Sequence, residues 1–114
     1  MSDRITPVSV IKLFLEQIKR EMTMSDRFVF VERKANMGCS IKAARNEIMS
    51  LTYQDYDRGP LPDHDQTRPG SIWEFIKNVD GIEVYIKLKL DPDRGCVCLS
   101  FHQSEGPVKL PYRH

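Results

Sequence analysis

Five side chains suited to acid–base chemistry lie within one stretch of the chain, residues 71–102. They supply a carboxylate, a phenol, an ammonium group, a hydroxyl and an imidazole: Glu74, Tyr85, Lys87, Ser100 and His102. Such a set can remove a proton from one substrate atom, deliver one to another and bind an anion. It can act as a unit only if the secondary structure brings the five side chains together.

Two alternating segments predict strands that carry most of this set. Residues 82–90 (IEVYIKLKL) alternate apolar and polar side chains, and residues 96–102 (CVCLSFH) do so again. A period of two predicts strands with one buried face. The apolar members expected in the core are Ile82, Val84, Ile86, Leu88, Leu90, Val97, Leu99 and Phe101. The members expected on the opposite face are Glu83, Tyr85, Lys87, Lys89, Cys96, Cys98, Ser100 and His102.

The turns predict which strand residues are neighbours. Asp80-Gly81 is typical of a two-residue hairpin loop, and with that loop Glu74 lies opposite Lys87 and Ile76 opposite Tyr85. For the second hairpin, an even loop keeps apolar residues facing each other. A loop of residues 91–94 then predicts Tyr85 opposite Ser100 and Glu83 opposite His102.

The five polar side chains are therefore expected on one sheet face, with Lys89 as a further cation. A purely structural interpretation is also open. Glu74 and Lys87 could form a cross-strand ion pair that stabilises the sheet by roughly 0.2–1 kcal/mol, with Tyr85 and His102 merely covering the surface.

Composition limits the class of protein. A chain of 114 residues predicts one domain, 1–114, and 40% hydrophobic with 29% charged residues is ordinary for a soluble globular protein. The net charge of +1 predicts no global nucleic-acid-binding field, so any such surface would be local. No segment approaches the roughly 20 apolar residues of a membrane helix, and the N-terminus lacks a signal-peptide pattern. Three cysteines favour a reducing compartment, and we expect the cytoplasm.

The remaining segments predict an α+β fold with two N-terminal helices packed on a mainly antiparallel β-sheet. Thr6 and Pro7 suggest the start of a helix over about 7–22, and residues 27–33 suggest a short strand covered on both faces and broken at Met37-Gly38. Ser40 is the expected N-cap of a helix over 41–50, with Ile41, Ala44 and Ile48 inward. A possible short strand over 51–57 precedes a loop with little regular structure past Arg58. The tail, 106–114, is expected along the sheet edge.

Two groups of potential metal ligands have more ordinary explanations. The loop acids and histidine could suggest a divalent cation, but they lack EF-hand spacing and fit a solvated acidic loop better. They are Asp55, Asp57, Asp63, His64 and Asp65. Cys96 and Cys98 with His102 could suggest zinc, but a fourth ligand is not evident, so packed and reduced cysteines are expected.

Five short runs together resemble the MqsR family of toxins from type II toxin–antitoxin systems. They are YQDYDRGP (53–60), SIWEF (71–75), GIEVYIKLKL (81–90), CLSFH (98–102) and LPYR (110–113). The resemblance covers about residues 50–113. It implies a RelE-like fold and a metal-independent endoribonuclease that cleaves mRNA without a cofactor. It also implies a cognate antitoxin, usually with a helix-turn-helix DNA-binding domain, so that DNA would be bound only through the antitoxin complex.

The resemblance assigns the catalytic positions to Arg58, Glu74, Tyr85 and His102. Lys87 lies beside them, and Ser100 and Lys89 are the further expected substrate-binding residues. The founding pattern of the family has lysine where Arg58 and His102 stand here, and glutamine at the position of Glu74. In the implied reaction a 2′-hydroxyl attacks the neighbouring phosphodiester. Glu74 or Tyr85 would be the base, and histidine suits the acid because it exchanges protons near neutral pH.

Two other functions remain open from the sequence. A non-catalytic module could use the same face to bind RNA or protein without turnover. A metal-dependent nuclease could instead use the loop carboxylates of Asp55, Asp57 and Asp63, and it would lose activity in a chelator.

Overall fold

The computed structural model describes residues 5–31, 40–63 and 70–113 of the chain. Helix α1 is Val8–Thr23, strand β1 is Phe28–Phe30 and helix α2 is Ile41–Met49; a short 3-10 helix, Tyr53–Asp55, follows. The later strands are β2 Tyr56–Leu61, β3 Ile72–Val79, β4 Ile82–Asp91 and β5 Gly95–Gln103. They form one sheet in the order β1-β5-β4-β3-β2, in which only β1 and β5 are parallel. The α+β class is confirmed, as a mixed sheet with two helices.

Helix α1 covers one face of the sheet. Its predicted apolar stripe is confirmed: Ile11, Phe14, Leu15, Ile18 and Met22 are all buried. Phe14 stacks on Trp73 of β3, with ring centroids 4.3 Å apart. The Trp73 side of the sheet is therefore the core face, and the opposite face is left for the polar residues of β3, β4 and β5. No helix among the described residues combines the length and apolar character that crossing a membrane requires.

The helix starts agree in part with the sequence predictions. Ser40 caps α2 as predicted, because its side chain accepts a hydrogen bond from the backbone N–H of Ala43. Thr6 does not cap α1; its hydroxyl donates instead to the carbonyl oxygen of Gly59, 2.5 Å away, and ties the N-terminal segment to β2. Ile41 was expected to face inward but is 55% exposed; the buried residues of α2 are Ala44 and Ile48.

Strand limits differ from the predictions at two places. Strand β1 is half-buried rather than covered on both faces, and the break predicted at Met37-Gly38 lies outside the described residues. Residues 53–55 are a 3-10 helix rather than strand, and β2 continues past Arg58 to Leu61. Pro60 therefore did not end the regular structure, because β2 is an edge strand and an edge tolerates a residue without a backbone N–H.

The first hairpin has the predicted register throughout. Val79 pairs with Ile82, Glu74 with Lys87, and Ile76 with Tyr85. The Asp80-Gly81 turn explains this agreement, since both residues have positive φ, 51° and 85°.

The predicted register of the second hairpin was wrong. Asp91 pairs with Gly95, so the loop has three residues, and a bulge leaves Leu99 without a strand partner. Past the bulge, Tyr85 pairs with His102 and Lys87 with Ser100. The bulge reverses the faces expected for the start of β5.

The consequence is a sheet face that differs from the sequence prediction only near the turn. Cys96 and Cys98, expected outside, belong to the core, whereas Val97 pairs with Lys89 on the opposite face. Leu99, expected in the core, is only half-buried. Ser100 and His102 keep the predicted face because the bulge restores the alternation after residue 99.

Candidate active site

Four residues named by the sequence line one cleft on the polar face of the sheet. The cleft has a volume of about 180 Å³, and its predicted members are Arg58, Glu74, Tyr85 and His102. Strands β2 to β5 each contribute one of them. Residues 104–108, which follow β5, form the remaining wall.

Glu74 is the central side chain of the cleft. Its carboxylate oxygen Oε1 accepts a 2.7 Å hydrogen bond from the Tyr85 hydroxyl and lies 3.4 Å from Nε of Arg58. Oε2 has no hydrogen-bond partner among the described residues, and none of their buried side-chain oxygens is unpaired. Tyr85 and Arg58 thus hold one oxygen of the carboxylate, whereas no described residue bonds to the other.

Tyr85 is held as a neutral phenol. The pKa of Tyr85 is raised above its usual value of 10.0. The largest cause is partial burial, and the hydrogen bond to Glu74 and the charge of that carboxylate add to it. A phenol with a raised pKa donates hydrogen bonds and does not act as a base near neutral pH. Of the two candidate bases in the sequence prediction, this environment favours Glu74.

Arg58 reaches the cleft because β2 is irregular. Register shifts on either side of Arg58 set it opposite Glu74 on β3. Next in the chain, Gly59 has φ of 127°, and a Cβ there would lie 2.8 Å from the carbonyl oxygen of Ile72, so only glycine fits this close approach. Nε of Arg58 faces the carboxylates of Glu74 and Asp57, at 3.4 and 3.6 Å. No hydrogen bond joins the terminal guanidinium nitrogens to another described residue, and this planar group can bind an anion through two hydrogen bonds.

His102 lies beside Tyr85 with one ring nitrogen committed. The two ring centroids are 5.1 Å apart. Nδ1 of His102 is 2.9 Å from the carbonyl oxygen of Gln103, which can only accept a hydrogen bond, so Nδ1 carries the hydrogen. Nε2 is the nitrogen left for proton transfer.

A second cleft adjoins the first and shares Glu74 with it. It has a volume of about 310 Å³ and includes Lys87 and Ser100, two of the residues expected to bind substrate. Lys87 is the direct strand partner of Glu74, yet within the described part of the chain its ammonium group forms no ion pair. The purely structural cross-strand pair is therefore absent, and Lys87 is available for an anion.

Lys89 differs from the sequence prediction. It points to the polar face as expected, but its side chain is only 1% exposed and its ammonium group is 2.6 Å from a carboxylate oxygen of Asp63. A buried and paired lysine cannot contact substrate without breaking that pair. Lys89 therefore holds Asp63 against the sheet.

The loop carboxylates are dispersed among separate partners. Asp55 accepts a hydrogen bond from the backbone N–H of Thr52, Asp63 pairs with Lys89, and Asp57 accepts from the backbone of Lys109. His64 and Asp65 lie outside the described residues. In the described ranges no three histidine, cysteine or acidic side chains are grouped as metal ligands.

The two described cysteines face away from the cleft. Cys96 and Cys98 are buried in the core, on the face opposite His102, so these three side chains share no zinc site. Burial raises the pKa of the Cys96 thiol to about 12. Both residues are packed and reduced, as the sequence predicted.

Sequence reasoning missed the contribution of the C-terminal segment and of Asp57 to this site. Residues 104–108 form one wall of the cleft, and Asp57 lines it as well. Asp57 and Lys109 are 52 positions apart in the chain, and no local pattern links them.

Comparisons of the chain with protein-family models, with curated proteins and with solved structures found no match.

Proposed function

We propose that this chain is a metal-independent endoribonuclease that cleaves mRNA as the toxin of a type II toxin–antitoxin system. The observation that carries the proposal is the geometry of Glu74: Tyr85 and Arg58 hold one carboxylate oxygen, no described residue bonds to the other, and His102 lines the same cleft. A potential base, a potential acid and a cation thus share one site. The resemblance to MqsR toxins, and the RelE-like fold that it implies, named the same four residues.

The proposed reaction uses the side chains of the cleft and no cofactor. Oε2 of Glu74 takes the proton of a ribose 2′-hydroxyl, and the 2′-oxygen forms a bond to phosphorus. The bond from phosphorus to the 5′-oxygen breaks, and Nε2 of protonated His102 gives its proton to that oxygen. The products are a 2′,3′-cyclic phosphate and a 5′-hydroxyl end. Each proton transfer contributes typically 10²–10⁴-fold to such a rate.

The cations stabilise the charge that develops on phosphorus. The guanidinium of Arg58 and the ammonium of Lys87 lie on either side of Glu74, opposite it on β2 and β4. Each is placed to bind a non-bridging phosphate oxygen, arginine through two donors and lysine as a point charge. Ser100, the strand partner of Lys87, offers a further hydroxyl.

The partners of this proposal follow from the resemblance. The antitoxin would neutralise the toxin and, through a helix-turn-helix domain, carry the complex to DNA. Messenger RNA as substrate places the protein in the cytoplasm.

A metal-dependent nuclease has less support because Asp55, Asp57 and Asp63 each serve a different structural partner.

The test is incubation of the purified chain with mixed-sequence RNA in excess EDTA, beside a Tyr85→Phe, His102→Ala double variant. We expect the wild type to cleave and the double variant to be inactive at unchanged thermal stability. Cleavage only after addition of magnesium would move the chemistry to carboxylates. Intact RNA in both conditions, with RNA binding retained, would favour the non-catalytic module.

A further inference from the structure

Asp57 is a buried carboxylate that the proposed reaction does not use. Its side chain is 3% exposed, although β2 is an edge strand. Burial of a charged group is costly unless hydrogen bonds and an opposite charge compensate it. The partners of Asp57 therefore indicate what the buried charge does.

One oxygen of Asp57 binds the C-terminal segment. Oδ1 accepts hydrogen bonds from the backbone N–H groups of Lys109 and Leu110, at 2.6 and 3.1 Å. These contacts hold the end of residues 104–110, which we call the strap. The other end of the strap is fixed where the N–H of Ser104 donates to the carbonyl oxygen of Glu83.

The second oxygen of Asp57 faces the site. Oδ2 is 3.6 Å from Nε of Arg58, and Glu74 approaches the same nitrogen from β3. Two carboxylates thus lie against the Nε edge of the guanidinium. The side chain of Arg58 is 49% exposed and would otherwise sample several rotamers.

Beyond Leu110 the chain is anchored again. Arg113 donates to a carboxylate oxygen of Glu83 and to the carbonyl oxygen of Ile76, at 2.9 and 2.7 Å. The Tyr112 hydroxyl donates to the carbonyl oxygen of Thr6. The strap is therefore tied at both ends, while Glu105 to Val108 in its middle are exposed and line the cleft.

We propose that Asp57 is a positioning residue, whose carboxylate aligns Arg58 toward the substrate phosphate and holds the strap as one wall of the cleft. This inference rests on the proposed ribonuclease function. Asp57 then serves two separate parts of the site: the cation, which binds the phosphate, and the strap, which limits where the RNA strand can lie beside it.

The two oxygens allow the roles of Asp57 to be separated. In Asp57→Asn the amide oxygen can still accept from the strap, but the negative charge beside Arg58 is lost. Asp80→Asn is the matched control, because it makes the same substitution in the exposed turn between β3 and β4. Arg113→Gln is the complementary variant, since it removes the anchor of the chain just beyond the strap and leaves Asp57 intact.

The experiment measures binding of a fully 2′-O-methylated RNA, which cannot be cleaved by 2′-hydroxyl attack, by fluorescence anisotropy. We expect Asp57→Asn to weaken binding by about tenfold, since a misplaced binding group can cost up to 10²-fold. In an Arg58→Ala background the same substitution should have no further effect, because Asp57 acts through Arg58. Arg113→Gln should weaken binding in both backgrounds, because the strap acts independently of Arg58. Asp80→Asn should bind as the wild type does.

Several outcomes would overturn the inference. Equal weakening by Asp57→Asn with and without Arg58 would show a general structural effect, and unchanged binding would show that the carboxylate does not position the cation. If Asp57→Asn does not fold, as judged by circular dichroism, unchanged binding by Arg113→Gln would still reject the strap as a wall. A wild type that binds no RNA would reject the proposed function itself, and the inference with it.

Discussion

The Tyr85 hydroxyl donates a 2.7 Å hydrogen bond to Oε1 of Glu74, across the strand pair β3–β4. Tyr85 is opposite Ile76 in the ladder and Glu74 is opposite Lys87, so the bond runs diagonally over the sheet face. This contact leaves Oε2 as the oxygen that can accept a substrate proton. The predictions below depend on that arrangement.

Replacing Glu74 by glutamine should abolish cleavage while the fold is kept. An amide can still accept from Tyr85, but it cannot take the 2′-hydroxyl proton. We expect a rate loss of about 10²–10⁴-fold in single-turnover RNA cleavage. Glu16→Gln is the control, since Glu16 lies exposed on α1 beyond the opposite face of the sheet. Equal activity of the two variants would remove Glu74 from the mechanism.

Tyr85 should ionise at higher pH than an ordinary tyrosine, and Glu74 should contribute to that shift. The ultraviolet difference between the wild type and Tyr85→Phe isolates its titration. We expect the pKa of Tyr85 to fall toward its usual value in Glu74→Gln, because the variant lacks the carboxylate that disfavours the phenolate. An identical titration in the two backgrounds would contradict the hydrogen bond.

The raised pKa of Tyr85 also sets the sign of a stability change at high pH. The unfolded chain loses the phenolic proton near pH 10, whereas the folded chain keeps it to higher pH. The stabilisation associated with the neutral phenol is therefore complete below pH 10 and lost as the pH rises above that value. In urea unfolding, the free energy of unfolding of the wild type should therefore fall relative to that of Tyr85→Phe as the pH rises above 10. A difference that is constant with pH would argue against this linkage.

Two neighbouring lysines on β4 should respond in opposite ways to the same substitution. Lys89→Met leaves the carboxylate of Asp63 without its buried cation and should lower the free energy of unfolding by about 3 kcal/mol. Lys87→Met should change that free energy by no more than about 0.5 kcal/mol. In RNA binding, however, Lys87→Met should reduce the slope of log affinity against log salt by about 0.7, the loss of one phosphate contact to a single strand. Urea unfolding measures the effect on stability, and salt titration of RNA binding measures the phosphate contact. A Lys89→Met variant that is as stable as the wild type but binds RNA more weakly would show that Lys89 contacts RNA.

The thiols of Cys96 and Cys98 should be unreactive in the folded chain. Burial raises the pKa of Cys96 to about 12, so at neutral pH the reactive thiolate is scarce, and both side chains are enclosed in the core. In a Cys39→Ser variant, a thiol reagent should label these residues at the rate of unfolding, and urea should accelerate the labelling. Rapid labelling without denaturant would show that the bulge at Leu99 does not turn Cys96 and Cys98 inward.

The sequence predicted one hairpin fully and the other only in part, and the turns explain the difference. Asp80-Gly81 admits one loop length, so the positions of Glu74, Tyr85 and Lys87 could be derived by counting. At the start of β5, Cys96 and Cys98 alternate with Val97 and Leu99, and all four side chains are apolar. Either pair could therefore face the core. Burial pattern alone therefore could not reveal the bulge at Leu99.

Two further features were beyond sequence reasoning because they depend on contacts distant in the chain. Lys87 and Lys89 both stand at polar positions of the alternating pattern of β4, so the sequence does not distinguish them. Lys89 alone is paired with Asp63, which lies 26 positions earlier in the chain. Asp57 looks like one of several loop acids until the backbone of Lys109 and Leu110 reaches it. The sequence predicted four of the side chains that line the cleft, whereas long-range packing decides which neighbouring charges are paired.

The most direct test of the account compares an RNA with the 2′-O-methylated strand of the same sequence, both in excess EDTA. We expect the wild type to cut the RNA, leaving 2′,3′-cyclic phosphate and 5′-hydroxyl ends, and to leave the methylated strand intact. Cleavage of the methylated strand, or cleavage of RNA only after magnesium is added, would contradict 2′-hydroxyl attack at the cleft of Glu74 and His102.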